Sequence, residues 1–285
     1  MKKVLVSGIG GFVGSRIMCQ ISDRFDLIAF PKGMLARANE KEVIQFIEKN
    51  HPDVIIHTAA VSDIGYSARH PEESHKANVL LPVWIAKGAR ETGAKLLAFS
   101  SDQVYSGINK EEPFDENAVL SPSNLYGCQK LESEGKVISV LQSAVMLRAT
   151  WMYDFPGYGL PIRGNLLLNL LNAAMHTEEL SFSEYDYRGI TYVRQVVELL
   201  VPAMQLPGGV YNFGSENKLN MYDTAIDFKN ALGLKLSLKK DEDSTFRNLA
   251  MSCEKIRKFG IDFDNTQDGI RRCVRDYGLS VFIPG

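Results

Sequence analysis

The sequence predicts an α/β fold, a doubly wound parallel sheet followed by a smaller lobe. Three observations point there. Five short apolar runs in the first half lack the polar alternation of half-exposed strands. Longer amphipathic segments separate these runs. A glycine-rich turn closes the first of them at residue 8. Short strands separated by helices bury both faces of a parallel sheet, and right-handed crossovers wind it in two directions.

The elements follow in order. Lys3–Ser7 reads as a buried strand, Phe12–Ile21 as a helix, and Leu27–Phe30 as the second strand. Val43, Ile44 and Ile47 share one face of a helix over Glu40–Lys49. Asp53–His57 is the third strand and Glu72–Thr92 a long helix. Lys95–Ser100 is the fourth strand, Leu125–Leu141 a helix, and Ala144–Arg148 the fifth strand. The rhythm changes after Trp151, so residues 1–150 are expected to form the sheet domain and 151–285 the lobe, some of whose segments return to the sheet. Proline and glycine make Asp154–Pro161 a loop. Helices are expected at Asn165–Ala174, Val193–Met204, Tyr222–Ala231 and Gln267–Tyr277, and strands at Gly209–Phe213 and Leu234–Leu238.

Composition narrows the function. Of 285 residues, 45% are hydrophobic, and 32 Lys+Arg against 34 Asp+Glu leave a net charge of −2. That balance excludes nucleic-acid binding through bulk positive charge, and the apolar content excludes disorder. Cys19, Cys128, Cys253 and Cys273 lie too far apart for a disulfide framework, so a reduced compartment is expected. The run Val4–Ser7 passes straight into glycines, and Arg16 interrupts before any small-residue cleavage site, which argues against a secretory leader. No run reaches the roughly 18 apolar residues of a membrane span. A soluble, cytoplasmic protein is expected. His51, His57, His70, His75 and His176 do not cluster with Cys or carboxylates, so no metal site is expected.

Three constellations carry chemistry. In Gly8-Ile9-Gly10-Gly11-Phe12-Val13-Gly14, glycines at 8, 11 and 14 permit a tight turn, approach to a pyrophosphate, and helix–strand contact. Backbone N–H groups at the helix start then face the anion. Gly8, Gly10, Gly11, Phe12, Val13 and Gly14 are therefore candidate dinucleotide contacts in a Rossmann-type domain. Second, Tyr126 and Lys130 stand four apart and share one face of a helix. A free phenol ionises near pH ~10; a nearby ammonium and an oxidised nicotinamide would favour the phenolate. Third, Ser101 and Asp102 follow the fourth strand, at the sheet edge where α/β folds bind ligands. Ser101 there can donate to a substrate carbonyl and hold Tyr126. Cys128 lies on another helix face and is given no catalytic role. The second strand has no acid at its tip; Pro31 and Lys32 follow, and Lys32 can offer an ammonium to a 2′-phosphate, which favours NADPH over NADH.

In this order the three elements resemble the extended short-chain dehydrogenase/reductase superfamily, and within it the dTDP-4-dehydrorhamnose reductase branch. The segments 51–60, Ser100–Tyr105, Ser121–Gly127, Leu147–Tyr153, Gly209–Phe213 and Lys255–Ile261 carry the likeness over nearly the whole chain. The resemblance implies a catalytic set of Ser101, Tyr126 and Lys130, and hydride transfer from a reduced nicotinamide to the C4 keto group of a nucleotide-linked 6-deoxyhexose. It implies cofactor contacts at Ala59, Ala60, Tyr126 and Lys130, with Arg148–Trp151 bordering nicotinamide and sugar. Ser101, Asp102, Tyr126, Trp151 and Asn165 are the implied substrate contacts, and a homodimer is the assembly to test. The sequence departs from the branch at Pro31-Lys32, at Gly65-Tyr66-Ser67-Ala68, in a longer loop Asp154–Arg163, and at Ser15-Arg16, where some members carry a glutamate for metal-linked pairing. Two alternatives remain open on this scaffold: a nucleotide-sugar epimerase or dehydratase with tightly held NAD, and a non-catalytic nucleotide-sugar-binding subunit.

Overall fold

The computed structural model describes residues 1–31, 33, 37–157 and 159–279. Its first half runs β1 (Lys3–Ser7), α1 (Phe12–Gln20), β2 (Asp26–Ala29), α2 (Glu40–Asn50), β3 (Val54–His57), α3 (Ile64–Arg69) and α4 (Pro71–His75). A π-helical turn over Lys76–Leu80 leads into α5 (Leu81–Thr92), then β4 (Lys95–Ser101), a 3₁₀ turn over Asp102–Tyr105, α6 (Leu125–Val140) and β5 (Val145–Ala149). The helix expected over Glu72–Thr92 is thus one rod with a widened turn in it. Pro82 explains the widening: it has no N–H, and its ring would meet the carbonyl of Asn78 in a regular helix. The turn buries the Asn78 side chain, which accepts from Val61 N at 2.9 Å and donates to Gln129 Oε1 at 2.9 Å.

The second half contains β6 (Trp151–Tyr153), α7 (Leu166–His176), β7 (Leu180–Phe182), β8 (Asp186–Tyr187), β9 (Ile190–Tyr192) and α8 (Val193–Ala203). It continues through β10 (Gly209–Phe213), α9 (Met221–Ala231), β11 (Leu238–Lys240), β12 (Arg247–Asn248), α10 (Glu254–Arg257) and α11 (Thr266–Asp276). The strand expected at Leu234–Leu238 begins only at Leu238, where β7 offers a parallel partner. Leu234 and Leu236 pack into the lobe's apolar cluster without a ladder.

Six parallel strands form the main sheet in the order β2-β1-β3-β4-β5-β10. Alternation explains its two cores. Val4 and Val6 of β1 face a cluster with Ile17, Leu147, Leu200 and Phe213, while Leu5 faces Ile47, Ile55, Ile85 and Met146 on the other side. A third cluster, with Tyr153, Leu167, Ile190, Phe228 and Ile270, fills the lobe.

Arg16 ties the lobe to the first helix. The side chain is 1% exposed; its Nε donates to Asp154 Oδ2 at 2.6 Å, and its Nη1 donates to Phe12 O at 2.8 Å and Pro161 O at 2.9 Å. Tyr277 donates to the other Asp154 oxygen at 2.9 Å. Arg16, a departure in the sequence, therefore clamps the long Asp154–Arg163 loop. Removing one member of a buried pair strands the other charge and costs about 3–5 kcal/mol, whereas an apolar replacement of both is often neutral. Arg16→Met is expected to lower urea-unfolding stability by about that amount, and Arg16→Met/Asp154→Leu to recover most of it. Equal losses in both variants would contradict the clamp.

Candidate active site

The strand order reverses between β1 and β3, and the crevice opens at their carboxyl ends. A cleft of about 890 Å³ lies there. Gly8 has φ 74°, and a Cβ on it would stand 2.6 Å from Thr58 Oγ1 and 2.7 Å from Ala59 N. A Cβ on Gly14 would overlap the Gly8 carbonyl, so Gly14 lies under the turn and not in the cleft wall. Gly11 caps α1 with no side-chain acceptor, and no acidic residue stands in the first turn. The first helical N–H groups are left for an anion. Gly8, Gly10, Gly11, Phe12 and Val13 line the cleft, as do Ala59 and Ala60 opposite. This cradle fits a dinucleotide pyrophosphate. Lys32 lies outside the described residues, although Pro31 and Gly33 on either side line the cleft.

At the end of β3, the Ser7 hydroxyl and His57 Nδ1 are 2.6 Å apart, and Ser7 Oγ accepts from Thr58 N at 3.1 Å. Burial, then the charge of Lys130, pushes the His57 imidazole down to about 3. His57 is a neutral, packed ring.

Helix α6 supplies the reactive side chains. Asn124 caps it, accepting from Gly127 N at 2.9 Å. Tyr126, Lys130 and Glu134 then stand one turn apart on its buried face. Lys130 Nζ donates to Phe99 O at 2.7 Å, beside the end of β4. Burial pushes this amine down to about 8, with Glu134 opposing the shift. Burial raises the Tyr126 phenol well above its ordinary value, opposed by the neighbouring Ser101 side chain and Arg163 and aided by Asp102. Without a nicotinamide beside it, the phenol is governed by burial and not by the Lys130 ammonium. Lys130 Nζ stands 5.9 Å from the Tyr126 ring centre, and burial dominates. A phenol kept protonated is a proton donor.

Behind these residues runs a buried network. Glu134 accepts from Ser100 Oγ at 2.5 Å and from Arg148 at 2.7 and 3.0 Å. Arg148 also donates to Tyr105 Oη at 2.8 Å, which donates to Asn212 Oδ1 at 2.8 Å. Arg148, expected to border nicotinamide and sugar, is spent in this network; Ala149, Thr150 and Trp151 reach the cleft in its place.

On the lobe side, Ser101 Oγ donates to Asp102 Oδ1 at 3.1 Å, and Asp102 Oδ2 accepts from Arg188 at 2.8 Å. The Arg188 guanidinium stands 5.2 Å from the Trp151 ring centre. Arg163 reaches across to donate to the Ser62 hydroxyl. Asn165 does not line the cleft: it caps α7, accepting from Leu168 N at 3.1 Å, and donates to Arg163 O at 2.9 Å. The expected substrate contact is thus a support for the Arg163 loop. Cys128 is exposed, its thiol bonded to Pro122 O at 3.4 Å.

The structure brings Ser101, Asp102, Tyr126, Lys130 and Trp151 into the same cleft as the glycine turn. Sequence reasoning missed Thr58, Asp63, Arg163, Arg188 and Arg247, which also line it. Thr58 carried a signal, standing next to Ala59. Arg188 carried none, because its partner Asp102 is 86 positions away.

Comparison with known proteins agrees with this geometry. The chain is 23% identical over 239 residues to the spore coat polysaccharide biosynthesis protein SpsK of Bacillus subtilis (strain 168), covering 84% of this chain and 82% of that one. It is 25% identical over 235 residues to the dTDP-4-dehydrorhamnose reductase of Aggregatibacter actinomycetemcomitans, covering 79% and 78%. The crystal structure of dTDP-4-dehydrorhamnose reductase from Bacillus anthracis str. Ames in complex with NADP superposes with a TM-score of 0.87 at 20% identity, over 96% of this chain and 98% of that one. Residues 1–277 match the RmlD substrate binding domain family, and the chain belongs to that family.

Proposed function

We propose that this protein is an NADPH-dependent reductase of the C4 keto group of a nucleotide-linked 6-deoxyhexose, dTDP-4-dehydro-L-rhamnose, yielding dTDP-L-rhamnose. One observation carries the reading: Tyr126, Lys130 and Ser101 converge at the end of β4 in the cleft that the glycine turn opens. The names of the reductase relatives support the substrate, and the complex of the Bacillus anthracis neighbour supports the cofactor. Residues 1–150 would hold the nucleotide cofactor and 151–285 the sugar nucleotide.

When bound, a reduced nicotinamide would supply the hydride that the keto carbon accepts. Tyr126 gives its phenolic proton to the oxygen, and Ser101 orients that oxygen. Lys130 holds a ribose and steadies the phenolate left behind. Gly8–Val13 receive the pyrophosphate, and Trp151 offers an apolar face to the deoxysugar.

The test is NADPH and NADH oxidation against a panel of 4-keto nucleotide sugars. Net oxidation with dTDP-4-dehydro-L-rhamnose is expected, while retained NAD without net consumption would favour an epimerase. Tyr126→Phe is expected to lower kcat by about 10²–10⁴-fold, the usual share of general acid catalysis, with cofactor affinity unchanged. Near-normal turnover would remove Tyr126 from its role.

Lys130 gives the reading a pH signature. The folded amine is held at about 8, below its ordinary value of 10.5. Below that pH it is charged and binds ribose fully, so NADPH affinity is expected to fall as pH rises through it, by at most about tenfold per pH unit for one linked proton. Fluorescence titration should show this decline in the wild type and a flat profile in Lys130→Met. For stability the sign is opposite: between the folded and the ordinary pKa the unfolded chain binds more protons, so this group favours folding as pH rises there.

A further inference from the structure

We propose that Arg16 is a positioning residue for the sugar nucleotide: from outside the cleft it fixes Pro161, and so places the Arg163 guanidinium to receive the substrate's diphosphate. This rests on the reductase reading above.

Arg163 and Gly164 line the cleft on the lobe side. The other two lobe arginines there are each paired with an acid, Arg188 with Asp102 at 2.8 Å and Arg247 with Asp186 at 3.4 Å. Arg163 instead donates to the neutral Ser62 hydroxyl, and among the described residues no carboxylate pairs with it. Its charge is therefore left for a ligand. The cofactor's pyrophosphate has the glycine turn and the start of α1. The sugar nucleotide brings a second diphosphate, whose oxygens suit the planar guanidinium fork.

A loop arginine loses backbone and side-chain freedom when it binds, so the prior hold on its backbone sets the affinity. Two contacts supply that hold. Asn165 Nδ2 donates to Arg163 O at 2.9 Å, and Arg16 Nη1 donates to Pro161 O at 2.9 Å. Proline has no N–H, so its carbonyl is the group by which the segment can be tied. Two residues span at most about 7 Å, so fixing Pro161 confines Arg163. Arg16 is itself held, with Nε on Asp154 Oδ2 at 2.6 Å and Nη1 also on Phe12 O at 2.8 Å. Its guanidinium stands 4.0 Å from the Phe12 ring centre, buried where water competes little for these bonds. Phe12 opens α1 and lines the cofactor's side of the cleft. A first-turn carbonyl also accepts from the N–H four residues on, so Phe12 stays placed without the Arg16 side chain. The helix that receives one diphosphate thus carries the residue that places the cation for the other.

The test titrates dTDP by calorimetry into NADP⁺-saturated wild type, Arg163→Ala, Arg16→Met/Asp154→Leu and the triple variant. Arg163→Ala is expected to weaken dTDP binding about tenfold, the usual worth of one hydrogen bond to a charged group. The Arg16→Met/Asp154→Leu variant buries no stranded charge but leaves Pro161 O without its donor. It is expected to lose most of the same dTDP affinity, and to raise KM for dTDP-4-dehydro-L-rhamnose in step, while its urea midpoint, NADPH affinity and kcat stay near wild type. The triple variant is expected to bind dTDP no worse than Arg163→Ala, because both changes remove one contact. Should the double variant not fold, Arg16→Lys, which keeps a charge for Asp154 but lacks the fork that reaches Pro161 O, carries the same expectations. Arg163 is exposed, so Arg163→Ala folds in any case, and unchanged dTDP affinity in it overturns the proposal alone. Wild-type dTDP affinity in the Arg16 variants, additive losses in the triple variant, or an equal fall in NADPH affinity would also overturn it. A wild type that binds dTDP yet reduces no 4-keto nucleotide sugar would overturn the reductase reading instead, while the dTDP titrations still decide the role of Arg16.

Discussion

The Glu134 carboxylate, 3% exposed, lies one turn below Lys130 and joins the helix bearing Tyr126 and Lys130 to the strand bearing Ser101. A buried carboxylate without partners is costly, and this one is fully engaged by the Ser100 hydroxyl and the Arg148 fork. Arg148 extends the hold to Tyr105 and, through it, to Asn212 on β10. Strands β4, β5 and β10 and helix α6 are thus fixed to one another at the end where chemistry occurs. The short contact from Lys130 to Phe99 O, and the placing of Tyr126 and Ser101 in one cleft, follow from that docking.

The cleft is the meeting of two halves that the topology brings together. The sheet opens it where the strand order reverses, and the absence of a Cβ at Gly8 and Gly14 lets β1, α1 and the end of β3 close to van der Waals contact. The lobe contributes Trp151, Arg163 and Arg188. Polar links that span the junction include Arg16 to Asp154, Arg163 to Ser62, and Arg188 to Asp102. The first lies behind the cleft, and the other two cross it. Cofactor turn and lobe therefore share a mechanical connection independent of any ligand.

Much of this was legible in the sequence where the signal is local. The five first-half strands, the glycine turn and the four-residue spacing of Tyr126 and Lys130 each follow from periodicity or backbone sterics within a few residues. The π turn at Lys76–Leu80 was not read, because Pro82 could equally have kinked or ended the helix. The short strands β6, β7, β8, β9 and β12 have three residues or fewer and carry no periodicity of their own. Arg148 was assigned to the cleft by resemblance, yet Glu134 draws it inward. Asn165 was assigned to substrate, yet it begins a helix, the use its short amide serves best. Arg188 and Arg16 acquire their meaning only from partners 86 and 138 positions away.

The most direct test of the account follows the hydride. NADPH carrying two deuterium atoms at C4 of the nicotinamide is turned over with dTDP-4-dehydro-L-rhamnose, and the sugar product is analysed by mass spectrometry and NMR. The account predicts one deuterium at sugar C4 for each NADP⁺ formed. Product without deuterium, or conversion of a sugar nucleotide with the nicotinamide neither consumed nor released, would contradict it.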